Sequence, residues 1–255
     1  MEPTTAQILD FCAADPIERV FLEEAARRRI GRFLAVEEDG RIVGLCYAGM
    51  NLVPSGRRCG ELARSLTRDG VQMIVGEERA VSDLWETAYR YLPEPRVDRP
   101  GQPVYALNAP PLPGETGLRV AARGDLPLLL PACAAAHIEE LGVDPLERDP
   151  VGFRRHAEAQ IVAGRSWIWT ERGTILFKAE ASAWTPSAVQ LQQVWVDPGA
   201  RNRGYAKRGL ADLCRLLLTQ APTVCLFVRR ENAPAIRLYE SVGMHQVLAY
   251  RSLLF

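Results

Sequence analysis

Val194-Trp195-Val196-Asp197-Pro198-Gly199-Ala200-Arg201-Asn202-Arg203-Gly204-Tyr205-Ala206-Lys207-Arg208 is the stretch on which the fold turns. The residues before it, 188–196, are β-branched and apolar with glutamine at intervals, and read as a buried strand. Pro198 ends that strand because it has no N–H to donate. Gly199 and Gly204 punctuate a basic turn. From Tyr205 onward the apolar positions Ala206, Leu210, Leu213, Cys214 and Leu217 recur at helical spacing. Strand, glycine-bearing basic turn and helix N-terminus suit an anion. The first N–H groups of a helix have no intrahelical partner and carry the positive end of its dipole. Gly204 lets a phosphate approach the backbone with no Cβ in the way.

The chain contains neither the Gly-x-x-x-x-Gly-Lys-Ser/Thr loop of nucleoside-triphosphate binders nor a Gly-x-Gly-x-x-Gly fingerprint. What stands is Arg201-Asn202-Arg203-Gly204-Tyr205-Ala206, with Lys207 following. It resembles the Arg/Gln-x-x-Gly-x-Gly/Ala loop of the GCN5-related N-acetyltransferases (GNAT), which binds the pyrophosphate of acetyl-CoA. A second stretch, Asn232-Ala233-Pro234-Ala235-Ile236-Arg237-Leu238-Tyr239-Glu240-Ser241-Val242-Gly243-Met244, is similar to the last helix of that superfamily, Asn-x-x-Ala-x-x-x-Tyr-x-x-x-Gly-Phe, with Met244 in place of Phe. Asn232 is a good N-cap, and Pro234 is tolerated in a first turn. The resemblance implies that Asn232 and, at the helix edge, Ala235 touch the pantetheine and nucleotide arm of CoA. It implies that Tyr239 lies beside the thioester sulfur as general acid. Without the resemblance, Tyr239 reads as a half-buried core tyrosine.

The implied reaction moves an acetyl group from acetyl-CoA, a cosubstrate, to a primary amine by direct attack in a ternary complex. The thioester carbonyl is expected to meet a backbone N–H near Val194, Trp195 and Val196. The base is the open part. Some family members carry a glutamate on this strand, where this chain has Gln190, Gln192 and Gln193. Glu180, on the neighbouring strand, is a candidate; an ion pair with Lys178, two residues away on the same face, is the equal alternative. Glu139 and Glu140, beside the loop expected to border the acceptor, are further candidates, but a solvated helix end is the favoured reading of both. A CoA-binding sensor or interaction module without catalysis is the rival function, and retention of Tyr239 favours the enzyme.

The formal net charge is zero over 255 residues, which gives no general attraction to nucleic acid or to an anionic membrane. No apolar run approaches a membrane span, and the first ten residues lack a signal-peptide pattern. The six cysteines show no Cys-x-x-Cys spacing and mostly lie among apolar residues, as expected for reduced core thiols in a cytoplasmic protein. His137, His156 and His245 form no metal-ligand pattern, and no metal is expected. The expected partner is a small-molecule or peptide amine; the oligomeric state is open, a homodimer included.

The fold expected is α/β, an α+β mixed sheet with helices on both faces. The spacing places helices within 4–29, strands at 33–37 and 41–51, a short helix at 60–67, a strand at 71–75, a helix at 77–91 and a strand at 104–107. Proline-rich stretches at 93–103 and 109–114 are expected to continue neither a helix nor a central strand. The domains expected are 1–108, a linker at 109–116, and an acetyltransferase domain at 117–255. The first half also repeats the second. Arg57 and Gly60 follow Pro54 at the spacing with which Arg201 and Gly204 follow Pro198, and Trp85 sits near the place of Tyr239. Glu61 and Leu62 stand where Tyr205 and Ala206 do, so the first half is expected to be a degenerate GNAT-like fold without a CoA site.

Overall fold

The computed structural model describes residues 1–66 and 70–255. The chain opens with α1 (Thr5–Ala13), where Thr4 and Gln7 cap one another, and α2 (Val20–Arg27). β1 (Arg32–Glu38), β2 (Arg41–Ala48) and β3 (Asn51–Gly56) form an antiparallel run. A 3-10 helix (Cys59–Ser65) leads to β4 (Met73–Glu77), α3 (Glu78–Ala88) and β5 (Val97–Leu107). The single strand expected over 41–51 is therefore two, broken at Gly49-Met50, where the Gly49 N–H donates to the Asn51 carbonyl. The helix expected at 60–67 is a 3-10 turn, and its expected last residue, Thr67, lies outside the described residues. β5 also runs back through the prolines that were expected to exclude it. A strand tolerates proline where its neighbour asks only for a carbonyl; Pro103 O accepts from the Val228 N–H at 3.2 Å.

The second half holds β6 (Arg119–Val120), α4 (Leu126–Leu141), α5 (Pro145–Arg148), α6 (Pro150–Val162), β7 (Ser166–Glu171), β8 (Thr174–Trp184), β9 (Val189–Val196), α7 (Tyr205–Leu217), β10 (Val224–Phe227), α8 (Ala233–Ser241) and β11 (His245–Leu254). Asp144 and Asp149 cap α5 and α6 through their carboxylates. The chain divides into two compact units. The first holds residues 1–106, 227–236 and 246–255; the second holds 107–226 and 237–245.

In the first unit the sheet order is β1-β2-β3-β4-β11-β5. Side chains alternate across it with the period of a strand. Phe33, Ala35 and Leu45 pack with Ile8, Cys12 and Leu22 of α1 and α2. Leu34, Val36, Cys46 and Leu52 pack on the other face with Leu62, Val81 and Leu84. β11 falls within the residues 117–255 expected to form the second domain, yet it pairs antiparallel with β4, from Tyr250 opposite Glu77 to Leu254 opposite Met73. Gln102 Nε2 donates to the Ser252 hydroxyl at 2.7 Å, a buried contact that fixes the register of β11 near β5.

In the second unit the order is β10-β9-β8-β7-β6. Ile168, Ile175 and Trp195 meet α4 and α6. α7 lies so close to β8 that a Cβ on Gly209 would come within 2.6 Å of the Phe177 ring. Both units share one plan: three antiparallel strands, a helical segment, then a fourth strand parallel to the third, preceded by α1 and α2 in the first unit and by α4, α5 and α6 in the second. The proline-rich segment expected as a linker is strapped onto α7. Asp212 accepts from the Gly114 N–H at 2.6 Å and from the Thr116 N–H at 2.9 Å and hydroxyl at 2.7 Å. Arg208 donates to the carbonyls of Gly114 and Glu115 at 2.7 and 2.6 Å. A Cβ on Gly114 would lie 2.0 Å from the Arg208 carbonyl oxygen, so only glycine fits there.

Candidate active site

β9 and β10 are parallel neighbours for two rungs only, Val189 with Val224 and Gln190 with Cys225. Beyond them the strands part, and β9 continues to Val196 on its other partner, β8. There the register jumps. Lys178 faces Trp195 and Glu180 faces Gln192, so Gln193 and Val194 together oppose Ala179. This is a β-bulge, which leaves its extra residue outside the ladder and turns the strand. Gln193 has φ +49°, a left-handed conformation that costs a side-chain-bearing residue. Of the expected backbone contacts, Val194 is half-buried, while Trp195 and Val196 are buried.

After β9, Asp197 holds a short turn by accepting from the Gly199 N–H at 2.8 Å. Asn202 and Gly204 both take positive φ, +61° and +80°. Gly204 is the N-cap of α7, and no side chain caps that end. A Cβ on Gly204 would meet nothing within 4 Å, so the space in front of the helix end is open. Asn202, Arg203, Gly204 and Lys207 are exposed, and Tyr205 and Ala206 are half-buried. These residues surround the uncapped start of α7, where the sequence leads one to expect an anion. Arg201 differs. Its guanidinium turns back to the Glu139 carboxylate at 2.6 Å and to the Val196 carbonyl at 3.2 Å. The Trp195 indole N–H donates to the same Glu139 oxygen at 3.3 Å. Glu139 is thus engaged by two donors and is not a free helix end. Tyr205 packs edge-on against Trp169, and the Arg208 guanidinium lies over the same indole at 5.0 Å.

Tyr239 is buried, and burial pushes its phenol above the ordinary range, with the charge of Glu140 adding to the effect. It holds its proton throughout physiological pH. Glu180 is buried too, and the ion pair with Lys178 is present at 2.9 Å. Burial works against the Glu180 charge, but Lys178, with the Cys133 thiol, outweighs it and holds the carboxyl below its usual range. The ammonium of Lys178 also donates to Gln193 Oε1 at 2.7 Å and to Cys133 Sγ at 3.1 Å. Sequence reasoning weighed the pair but missed Cys133 and Gln193 as its partners. Two consecutive glutamines breaking the alternation of β9 were the available signal for the bulge.

Asn232 and Ala235 belong to the first unit. There the Asn232 side chain accepts from the Ala235 N–H at 3.2 Å and so caps α8. The loop of the first unit that matches 198–204 is internally neutralised. Arg57 and Arg58 pair with Glu38, and Arg58 also pairs with Glu61. The Gly60 N–H, where an anion would sit, donates to Asp83 at 3.3 Å. β3 and β4 also pair for two rungs and then part, but a Cβ on Gly76 would fall 2.7 Å from the Pro54 carbonyl, so the gap between them is shut.

Among the described residues no group of histidine, cysteine, aspartate and glutamate could hold a metal, and no helix is long and apolar enough to cross a membrane. All six cysteines are free and buried, and burial pushes the Cys133, Cys214 and Cys225 thiols up to about 12.

Residues 134–244 match the model of the acetyltransferase (GNAT) family, and residues 31–129 match a domain of unknown function, DUF4081. Residues 134–244 are therefore a GNAT acetyltransferase domain, and acyl transfer, in an N-acetyltransferase, is its class of chemistry. Solved structures carry the same fold along nearly the whole chain. A GNAT-family acetyltransferase from Colwellia psychrerythraea is 12% identical with a TM-score of 0.60, over 99% of this chain and 97% of that one. A GCN5-related N-acetyltransferase-like protein from Streptococcus suis is 14% identical with a TM-score of 0.60, over 99% and 100%. A tandem GNAT protein from the clavulanic acid biosynthesis pathway is 14% identical with a TM-score of 0.54, over 98% and 94%. The first half is thus GNAT-like in fold as well. Comparison with curated proteins finds no match.

Proposed function

We propose that the second unit transfers the acetyl group of acetyl-CoA to a primary amine by direct attack in a ternary complex. The observation that carries this reading is the uncapped start of α7. A glycine at φ +80° with open space before it follows a bulged strand that has parted from its parallel neighbour. The first N–H groups of α7, with Arg203 and Lys207, take the pyrophosphate. Arg201 contributes by holding the loop to β9. The thioester lies along β9, its carbonyl oxygen towards the N–H groups near the bulge, where charge develops in the tetrahedral intermediate. When the carbon–sulfur bond breaks, the electron pair goes to sulfur, and the Tyr239 phenol donates to the thiolate.

Glu180 is a poor candidate for the base, because its carboxylate is already stabilised by Lys178. The acceptor therefore arrives neutral or gives its proton to water. A lysine-like amine is neutral in only about one molecule in 10³ at pH 7, whereas an α-amine with a pKa of about 8 needs far less help. The reading favours an acceptor of the second kind, in a cytoplasmic setting where the buried thiols stay reduced. Calorimetry with acetyl-CoA, followed by an acetylation screen over α-amines and alkyl amines, tests it. Absence of acetyl-CoA binding would sink it. Binding without transfer to any amine class would leave the non-catalytic module as the function.

A further inference from the structure

Lys178 is the most buried charged side chain of the second unit, with no exposed surface, in a strand whose neighbours Phe177, Ala179 and Ala181 are equally buried and apolar. An aliphatic residue would fill this place without the loss of hydration that a buried ammonium suffers. Buried ion pairs are seldom a net gain in stability over such a replacement. What the ammonium touches gives it a purpose. Besides Glu180 and Cys133 it donates to Gln193 Oε1 at 2.7 Å, and Gln193 is the residue at φ +49° in the β9 bulge. Lys178 and Glu180 are also the two β8 residues whose rungs flank that bulge, opposite Trp195 and Gln192. Gln192 Nε2 reaches the second Glu180 oxygen at 3.4 Å, so both sides of the irregularity are tied to the pair. A non-glycine residue persists in a left-handed conformation only where its surroundings over-determine it.

We propose that Lys178, neutralised by Glu180, is a positioning residue that holds Gln193 in the left-handed bulge and so aims the backbone N–H groups that polarise the thioester carbonyl. This rests on the reading of β9 as the acetyl-CoA site. Lys178 touches neither cosubstrate nor acceptor; it acts through the backbone.

The test needs no acceptor. Acetyl-CoA labelled with ¹³C at the thioester carbonyl is bound to the protein, and its infrared carbonyl band is compared with the band in solution. In wild type the band moves to lower frequency. In the double variant Lys178→Met/Glu180→Met, which removes both charges together, we expect acetyl-CoA affinity within about threefold of wild type and at least half of the band shift lost. Adding Gln193→Gly should restore the shift, because glycine adopts positive φ without being held. Should the double variant fail to fold, Gln193→Ala and Gln193→Gly alone carry the test: alanine loses the shift and glycine keeps it. An undiminished shift in the double variant, or in Gln193→Ala, overturns the proposal while leaving the site intact. Wild type that binds acetyl-CoA without any shift overturns it as well. Wild type that does not bind acetyl-CoA overturns the reading of the site, and the proposal with it.

Discussion

Gly204 occupies the open end of α7 at φ +80°. Gly204→Asp keeps the unit folded, at a cost of about 1–2 kcal/mol for the left-handed conformation. It also puts a carboxylate at the place proposed for the pyrophosphate. Charge-assisted bonds of about 1.5–3 kcal/mol each are lost, so calorimetry should detect no acetyl-CoA binding. Tyr239→Phe should leave that affinity within a few-fold and lower turnover by about 10²–10⁴, measured with whichever amine the screen identifies. The Tyr239 phenol is held above its ordinary value of 10.0, chiefly by burial, so its loss of a proton cannot slow the enzyme below pH 10. The place of Gly204 at the start of α7 and of Tyr239 within α8 was legible in sequence because each belongs to a pattern of near neighbours. The turn of Arg201 back to Glu139, 62 residues earlier, was not, since it depends on how α4 is laid across β9. The same holds for Cys133, which looks like any core thiol until the fold brings Lys178 to it.

At the scale of elements, α7 is held at both ends of its first half. Its N-terminus is left uncapped at the proposed anion site, and its flank carries the strap through Asp212, Arg208 and Arg215, which donates to the Pro111 carbonyl at 2.8 Å. Asp212→Ala removes the acceptor of three hydrogen bonds and should cost about 1–3 kcal/mol, read as a lower midpoint in denaturant at unchanged slope. Burial opposes the Asp212 charge, but hydrogen bonds from Thr116 and the strap backbone hold its carboxyl below the ordinary 3.8. A carboxyl depressed in the fold stabilises fully above its unfolded value. Its contribution is lost as pH falls below about 4 and through the lower folded value. The difference between wild type and Asp212→Ala should therefore shrink in that acid window and stay constant from pH 5 to 8. Strands and helices were legible from their periods, whereas the strap was not. Proline density at 109–114 describes a segment that cannot be helix or central strand, and says nothing about whether an aspartate two turns into a distant helix will bind its N–H groups.

For the whole molecule, the internal pairing of Arg57, Arg58, Glu38, Glu61 and Asp83, with the shut gap at Gly76, leaves no matching anion site in the first unit among the described residues, so the proposed cradle is that of the second unit. A saturating titration should find one acetyl-CoA per chain, abolished by Gly204→Asp; two per chain would refute the one-site reading. The shared plan of the two halves was visible in the order of elements, but the destination of the last strand was not, because hydrophobic alternation marks a strand without marking its partner. A chain ending at residue 245 should lose amide-exchange protection throughout β4 while β7 to β9 stay protected. Because Tyr250 to Leu254 complete a sheet begun at the other end of the chain, the first-made half cannot finish folding while it is still being synthesised. On the ribosome β4 waits with an open edge until residues 250–254 have emerged, and the closure of so long a loop comes late and slowly. An edge left waiting is open to strands from other nascent chains.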